Sequence, residues 1–432
     1  MKQNRFALIL VVLLAMMSLF PQASFAQEPE ACAALSAQAL IQMATNCAGT
    51  ESGTVCYAFQ ELENLLADGV EPVSFDQNGE RVSLNDVVHI RPTTPDISAE
   101  SSSEHAWGVA VARVLADLPA HYSDSVSIMV TGGAEVENGV EPEEAFIPTD
   151  SPISLTTTAD SELRRSSLTP PASGDVIGEV PAGSAVVADA ISEDGEWLRV
   201  VFGDFVGWIS LSAVADDVSS LPTILDGQRT PFQDFYFRTG FEGNPCTTSI
   251  QSFVLVQGPE HASVDIVLHD VVVRIGSTVL FRTTDNPGEP LGRTMEIIVL
   301  WGLATVNPDQ PDEILVAPGY KLLVHLCESF ASLGIEEDAD ERGCGEGEGV
   351  TFSGPIVLTQ EELDELGILD DLPPNLLNYP FEPPILTSSS GSGDPIVEII
   401  CTDPIQCEQV RQLCLAGLLP AATCDTFGFP HP

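Results

Sequence analysis

The stretch Glu193-Asp-Gly-Glu-Trp-Leu-Arg-Val-Val201, followed by Gly207-Trp-Ile-Ser210, decides the fold class of the middle of this chain. Two earlier segments, Ser161-Glu-Leu-Arg-Arg-Ser-Ser167 and Val176-Ile-Gly-Glu-Val-Pro-Ala-Gly-Ser184, have the same character. Each is a short run of strand-forming residues, and turn signals separate the runs at intervals of about eight to twelve residues, as in small barrels and sandwiches. Residues 151–216 are therefore predicted to form a compact all-β unit.

In this order the four segments resemble the bacterial SH3-like domain. Its usual pattern is a leucine-arginine strand, a strand leading to a glycine turn, a turn into Trp-x-x-Val, and a closing Gly-Trp-Ile/Val. Trp197 and Trp208 stand at the two tryptophan positions. The resemblance implies a small β-barrel that can bind a ligand. This chain departs from the family at Arg164-Arg165-Ser166-Ser167 and in the extended loop Leu168–Gly174. The loop borders the usual ligand face, which argues against a standard cell-wall peptide specificity.

Composition limits the range of functions. The chain has 432 residues, 44% of them apolar, with 64 acidic and 16 basic side chains and a net charge of -48. The length suggests two or three domains, and the apolar content argues against a wholly disordered chain. Such a charge disfavours binding to nucleic acid or to an anionic membrane. The acids are spread along the chain rather than set in a ligand pattern, which favours adaptation to salty surroundings over a surface that gathers divalent cations.

Residues 1–26 are predicted to be a secretory signal peptide. Two cations precede an almost unbroken apolar run at 6–20, and small residues place the cleavage after Ala26. The alternative, a membrane anchor, needs roughly 20 apolar residues, and this run is shorter. Cys32 follows without the small-residue box that lipid attachment requires. We therefore expect a secreted, extracellular or cell-envelope-associated protein, with no stable membrane insertion after cleavage.

In an exported protein an even number of cysteines indicates disulfide bonds. The ten cysteines form groups of three, three and four, and all are disulfide candidates: Cys32, Cys47, Cys56, Cys246, Cys327, Cys344, Cys401, Cys407, Cys414 and Cys424. Either one bridge joins the first and second groups, or free thiols remain. A bridge such as Cys32 to Cys47 would contribute roughly 3 kcal/mol in the chain-entropy model.

Two larger β-rich regions flank the central unit. Residues 27–147 are predicted to be a β-rich domain with one helix near Leu35–Met43, and residues 230–358 a second strand-rich domain. Within 230–325, the phrases Ile275-Gly-Ser-Thr-Val-Leu-Phe-Arg282 and Met295-Glu-Ile-Ile-Val-Leu-Trp-Gly302 resemble the secreted or periplasmic FecR-type β domain.

The C-terminal part differs in composition. Residues 359–393 are predicted to form a short helix, with a capping box of Thr359 and Glu362, and a flexible linker rich in proline and serine. Residues 394–432 are predicted to be a small helical segment stapled by cystines. The chain is thus expected to be mainly β and multi-domain, with a small SH3-like barrel between two larger β-rich domains. This order is similar to that of secreted bacterial multi-domain proteins of unknown role.

Motifs of familiar catalytic and metal sites are absent from the sequence. There is no Gly-x-Ser-x-Gly, no His-Glu-x-x-His and no phosphate-binding glycine loop. His261 and His269 could be metal ligands but are more simply satisfied or solvent-facing histidines. The loop starting at Asp338 resembles a calcium loop only in part, since Arg342 and Gly349 stand at ligand positions. The cysteines at 401–424 could bind zinc, although export favours disulfides. We expect no metal, no cofactor and no enzymatic activity.

The predicted ligand surface is the rim of the SH3-like unit. Trp197 and Trp208 would offer stacking area, and Arg164 and Arg165 would form a rare positive spot able to hold a carboxylate through paired hydrogen bonds. The alternative is that both tryptophans belong to the core and both arginines balance nearby acids.

Three functional hypotheses follow. The first is a secreted, non-enzymatic binding protein whose SH3-like unit contacts cell-wall or surface polymer, or another extracellular protein. The second is an extracytoplasmic sensing or scaffold protein, motivated by the FecR-type phrases. The third is a hydrolase with an unrecognised site in residues 230–358.

Overall fold

The computed structural model describes residues 40–57, 81–90, 109–165, 171–239, 252–260, 262–285, 292–327 and 350–367, with short stretches between 369 and 424. The predicted signal peptide and the calcium-like loop lie outside these residues. Strands dominate the described chain, which confirms the prediction of a mainly β protein. Within the same residues, no helix combines the length and the hydropathy that crossing a membrane requires.

The strands are numbered in chain order. Those before the central region are β1 (Thr54–Tyr57), β2 (Arg81–Ser83), β3 (His89–Ile90), β4 (Val109–Val114), β5 (Val126–Thr131) and β6 (Glu135–Asn138). The central region contains β7 (Ile153–Thr156), β8 (Ser161–Arg165), β9 (Val176–Val180), β10 (Ala185–Ser192), β11 (Trp197–Phe202), β12 (Phe205–Ser210) and β13 (Thr223–Ile224). Then follow β14 (Asp234–Arg238), β15 (Phe253–Gln257), β16 (Val264–Leu268), β17 (Val271–Ile275), β18 (Thr278–Asp285), β19 (Gly292–Trp301), β20 (Ala304–Val306), β21 (Ile314–Val316), β22 (Tyr320–Cys327), β23 (Thr351–Val357), β24 (Ile385–Ser388) and β25 (Pro395–Glu398).

Three large sheets contain almost all of these strands. The large sheet has nine described strands in the order β2-β1-β4-β5-β15-β18-β19-β22-β23. The second sheet has seven, in the order β21-β20-β17-β16-β14-β6-β3, and its β14–β16 pair is parallel. The central sheet has the order β13-β10-β11-β12-β8-β9, with β7 also pairing with β10.

The regions on either side of the central sheet share their sheets. In the large sheet β5 pairs with β15, and in the second sheet β6 pairs with β14. This differs from the prediction of two separate domains at 27–147 and 230–358. Alternating apolar residues show that a strand has a buried face but not which distant strand lies beside it. The central sheet is therefore an insertion into one larger two-sheet unit, which we call the sandwich.

The inner strands of the large sheet, such as β4 and β5, are buried on both faces. In β4, Ala110 and Ala112 point into a core shared with the second sheet, whereas Val109 and Val111 point to the opposite face. Helical residues 40–46 and five leucines from the C-terminal part cover that opposite face: Leu358, Leu366, Leu369, Leu376 and Leu377. Because successive side chains of a strand alternate between faces, a strand buried on both sides has a continuous apolar sequence.

The central sheet has its own hydrophobic core, which includes Leu163, Val186, Leu198 and Ile209. Its strands β8 and β12 approach closely at Gly207, where a Cβ atom would lie 2.3 Å from the carbonyl oxygen of Arg164. Glycine is thus required for this pairing.

The C-terminal predictions are partly confirmed. A helix at Gln360–Glu365 begins with the expected capping box, in which Thr359 and Glu362 exchange side-chain to backbone hydrogen bonds. The prediction of a flexible linker is wrong for residues 376–379. The backbone N–H of Asn378 donates to Gln257 Oε1 at 2.8 Å, and its side-chain amide donates to the carbonyl oxygen of Gly258 at 3.1 Å.

Two disulfides lie within the described residues. Cys47 pairs with Cys56 rather than with Cys32, and Cys414 pairs with Cys424. The first bridge joins the end of the helical turn at 40–46 to β1, and Cys47 and Cys56 are both buried. The other cysteine side chains lie outside the residues described in detail.

Candidate functional site

The predicted ligand residues lie on the outer face of the central sheet. Arg164 on β8 is opposite Trp208 on β12, and Trp208 is opposite Arg199 on β11. Directly opposed residues in an antiparallel pair share a face, and Trp197 shares it with Arg199 because the two are two positions apart. The structure thus brings three of the four predicted residues to one face.

Trp197 and Arg164 are adjacent at the open end of this face. The guanidinium carbon of Arg164 lies 5.4 Å from the centroid of the Trp197 ring, within the range of cation–π attraction. Arg164 Nη1 donates to the carbonyl oxygens of Ala172 and Gly174, and Nη2 donates to Glu162 at 2.7 Å. Both side chains are half-buried. The arginine is therefore largely occupied within the chain, and it supports the indole ring rather than offering an open carboxylate clamp.

Trp208 and Arg165 lie where the central sheet meets the sandwich. Trp208 is only 4% exposed. Arg165 donates to the hydroxyl of Ser263 in the sandwich and lies 3.7 Å from Asp175. Burial, together with the charge of nearby Arg274, lowers the pKa of Arg165. The two arginines do not form a joint positive spot, because one supports the rim and the other contacts the sandwich.

A buried ion pair stands at the centre of this contact, which we call the junction. Arg199 donates from Nε and Nη2 to the two carboxylate oxygens of Asp189, at 2.8 and 2.6 Å. The exposed fractions of the two side chains are 2% and 0%. Arg199 also donates from Nη1 to the backbone carbonyl of Asp117 in the sandwich, at 3.2 Å, and lies over the Phe146 ring.

Asp117 is a buried carboxyl group of the sandwich beside this pair. Its Oδ1 accepts from Gln233 Nε2 at 2.7 Å, and its Oδ2 accepts from the backbone N–H of Asp265 at 3.3 Å. Loss of solvation and the negative charge of Asp265 raise the pKa of Asp117 to about 6, although the bonds from Gln233 and the charge of Arg199 oppose the shift.

Asp189 and Arg199 were not predicted to be site residues, although the sequence contains a signal for them. Asp189 interrupts the apolar strand Ala185–Ser192, and Arg199 interrupts the run Trp197–Val201. Charged residues within strands of a small domain are expected to pair, because an unpaired buried charge is costly.

A small cleft opens at the junction between Trp208, Asp117 and the turn Leu225–Gln228. Its cavity volume, measured for the centre of a water-sized sphere, is about 30 Å³. This space suits one or two water molecules rather than a sugar ring or a peptide. The junction is therefore a closely packed contact with little room for a ligand.

Of the two histidines considered as metal ligands, the structure describes His269 alone. His269 bonds through Nε2 to the backbone of Phe237, and His261 lies outside the described residues. No group of three or more His, Cys, Asp or Glu side chains in the described part of the chain is placed to hold a metal ion.

His325 has hydroxyl partners on both ring nitrogens. Thr294 lies 3.1 Å from Nδ1, and Ser353, on the exposed edge strand β23, lies 3.2 Å from Nε2. A hydrolase serine needs a base whose second nitrogen is oriented by a charged group. Threonine cannot stabilise an imidazolium in that way, so this cluster suits cross-strand hydrogen bonding better than catalysis.

Comparison with known proteins gives little further information. No protein-family model matches the chain, and no curated protein matches it. Among solved structures, NlpC2 from Trichomonas vaginalis is 11% identical over 40% of this chain and 51% of its own, with a TM-score of 0.15. NlpC1 from the same organism is 12% identical over 39% and 48%, with a TM-score of 0.14. The chain thus spans about half the length of each, and TM-scores of this size do not indicate a shared fold.

Proposed function

We propose that this chain is an exported binding protein that contacts another extracellular protein through the rim of its central sheet. The rim consists of Trp197, Arg164, Glu162 and the edge strand Val176–Val180. The observation that carries the proposal is that hydrophobic side chains are accessible beside an edge to which no other described strand is paired. The rest of the same sheet face is closed by the sandwich.

The accessible hydrophobic groups are contiguous. Val176 is 50% exposed and is opposite Arg164, which in turn lies over the half-buried Trp197. A strand edge presents unpaired N–H and C=O groups that an extended segment of another protein can complete. Backbone pairing would give affinity, and the indole ring and Val176 would give a preference for apolar side chains on the facing positions.

The charge of the rim favours a cationic partner. Glu162 and Asp175 have exposed side chains, and Glu179 lies opposite Glu162 on the edge strand. With a net charge of -48 for the whole chain, a basic segment would be attracted over a long range and an acidic one repelled. The partner proposed here is accordingly an extended, basic protein segment with alternating apolar residues.

Export is supported by the cystines. Cys47–Cys56 and Cys414–Cys424 are bonded, and disulfides of this kind persist in oxidising compartments. The resemblance of residues 151–216 to the bacterial SH3-like domain is consistent with a role in recognition, and it remains a prediction from the sequence.

A labelled peptide of alternating lysine and valine tests the rim directly. We expect the full mature chain to bind it and not its glutamate-valine counterpart, as measured by fluorescence anisotropy. Val176→Asp and Trp197→Ala should each weaken binding by about tenfold, because they remove apolar contacts at the centre of the interface. Phe205→Ala, which removes an exposed aromatic ring at the opposite end of the β11–β12 hairpin, is the matched control.

Insoluble cell-wall polymer is the competing probe. Retention on the polymer that depends on Trp197 but not on Val176, without binding of either peptide, would favour a carbohydrate partner and contradict the proposal. If Phe205→Ala reduces peptide binding as much as Val176→Asp does, the peptide does not bind at the rim. Circular dichroism of each variant establishes that the strands are intact.

A further inference from the structure

The sandwich covers the part of the central sheet that contains Trp208. Tyr122 donates from its hydroxyl to the carbonyl oxygen of Asp204 at 2.6 Å, and Val206 packs into the sandwich core. Together with the bonds of Arg199 described above, these contacts hold the outer face of β11 and β12 against the sandwich, and Arg165 adds a contact from β8. An opening of the junction would expose an apolar and cationic surface that is now hidden.

Asp117 lies at the base of this contact, where its charge acts on groups of the sandwich and on groups of the central sheet. The sandwich contributes Gln233, Asp265 and the backbone of the Ala116–Asp117 segment. The central sheet contributes Arg199, which is itself paired with Asp189.

More distant charged groups complete the surroundings. Asp265 is bonded to Arg274 through two contacts of 2.7 and 3.0 Å, and Arg274 also reaches Asp309. Burial lowers the pKa of His121, which follows Asp117 in the chain. The charge of Asp189 opposes this shift, and the charge of Arg199 adds to it. His121 is therefore more readily neutral than a free histidine, and it adds little positive charge that could hold Asp117 ionised.

We propose that the junction is a pH-sensitive lock, in which protonation of Asp117 holds the central sheet more firmly against the sandwich and its ionisation loosens the contact. The physical reason is solvation. Docking removes water from a carboxyl group that already faces Asp265, and the ionised form loses more by this than the neutral form. Arg199 and Gln233 favour the ionised form, but burial and Asp265 outweigh them.

The direction and size of the effect follow from linkage. A carboxyl whose pKa is about 6 when docked, and near its ordinary 3.8 when solvated, takes up a proton on docking. Between pH 5.0 and pH 7.5 the docking equilibrium should then weaken by about tenfold, an upper value because it assumes full solvation of the opened state. This inference is independent of the proposed partner at the rim.

Hydrogen–deuterium exchange of the full chain tests the lock. After correction for the intrinsic pH dependence of exchange, peptides covering Trp197–Trp208 and Leu118–Tyr122 should lose up to tenfold in protection at pH 7.5. Asp117→Asn should keep the acid-level protection at both pH values. Asp216→Asn, which neutralises an exposed carboxylate beyond β12, should behave like the wild-type chain.

Two comparisons distinguish the lock from a general reduction of charge repulsion at low pH. Peptides from β18 and β19 report on the sandwich itself, and a repeat in 0.5 M salt screens long-range repulsion. A pH effect confined to the junction peptides and persisting in salt supports the lock. Unchanged protection in the wild-type chain, or a pH dependence that survives in Asp117→Asn, would overturn it. If Asp117→Asn does not fold, the pH dependence of protection in the wild-type chain still decides between these outcomes.

Discussion

Neutralising Asp189 should destabilise the chain far more than neutralising an exposed carboxylate at a similar distance from its arginine. Asp189→Asn keeps the shape of the side chain but removes the charge that faces Arg199. The guanidinium then stays buried without a carboxylate bonded to it, since its remaining contacts are the carbonyl of Asp117 and the ring of Phe146.

The size of the loss follows from burial. Both partners are almost fully enclosed, and two hydrogen bonds of 2.8 and 2.6 Å join them. Removing one member of such a pair typically costs about 3–5 kcal/mol, because an uncompensated charge is left in a medium of low polarity. Replacing both members by apolar residues, as in Asp189→Leu with Arg199→Met, should recover most of that loss.

The exposed pair of Arg164 and Glu162 is the matched control. Its N–O distance of 2.7 Å is nearly the same, but the exposed fractions are 23% and 55%. Glu162→Gln should therefore lower the free energy of unfolding by no more than about 1 kcal/mol. Urea unfolding, followed both by tryptophan fluorescence and by far-ultraviolet circular dichroism, measures each variant and shows whether the two signals change together.

Two outcomes would refute this reasoning. If Asp189→Asn and Glu162→Gln lose similar free energies, burial does not decide the contribution of the pair. If the apolar double variant is as unstable as Asp189→Asn, the loss comes from packing around the site and not from the unpaired charge.

Two further substitutions test the strand pairing and the cystine. Gly207→Ala should lower the free energy of unfolding by about 2–3 kcal/mol and disturb the central sheet, because its Cβ would lie 2.3 Å from the Arg164 carbonyl oxygen. Gly178→Ala is the control, since no atom lies within 4 Å of its Cβ, and it should change the free energy of unfolding by less than about 1 kcal/mol. Equal urea midpoints for the two would contradict the close approach of β8 and β12. Replacing Cys47 and Cys56 by alanine should lower the free energy of unfolding by about 2–3 kcal/mol, since the bridge closes a short loop. If full reduction of the wild-type chain does not reproduce this loss, the loss comes from packing around the two side chains and not from the bridge.

Local structure could be read from the sequence where the signal is local. The strands around Val254–Val256, Val264–Leu268 and Val271–Ile275 appear as β15, β16 and β17, because short apolar runs between turn residues favour strands. The capping box at Thr359 is present for the same reason, since its two partners are three residues apart.

Strand partners could not be read in this way. β5 pairs with β15 across more than a hundred residues, and the central sheet lies between them in the chain. Apolar alternation is equally consistent with an isolated domain and with half of a shared sheet. The ordered, half-buried position of Asn378 was missed for a related reason, because prolines and serines around it suggest a linker while its partners lie on distant strands.

The sequence indicated Trp197, Trp208 and Arg164, which share a face, but Arg199 was missed and the exposure of the face was not predicted. Period-two spacing correctly places Trp197 and Arg199 on one face, and the pairing of β12 adds Trp208 to it. Which half of that face is open depends on the sandwich, whose contacting residues Asp117 and Ser263 are remote in sequence. The sequence of a module alone does not contain this information.

The distribution of positive charge explains how so acidic a chain can be compact. Arg274 lies between Asp265 and Asp309, and Lys321 bonds to both Glu296 and Glu362. In the first cluster one cation separates two carboxylates that folding brings together, and in the second Lys321 is joined by Arg282, which also pairs with Glu296 and Glu362. Exposed carboxylates elsewhere repel one another less, because salt at physiological strength screens charges that are more than roughly 8 Å apart. Scarce cations are thus most effective at the few places where carboxylates converge, and this use leaves the outer surface strongly negative. The basic partner proposed at the rim and the protonation proposed for Asp117 at the junction would each reduce the same excess of negative charge, one from outside the fold and one from within it.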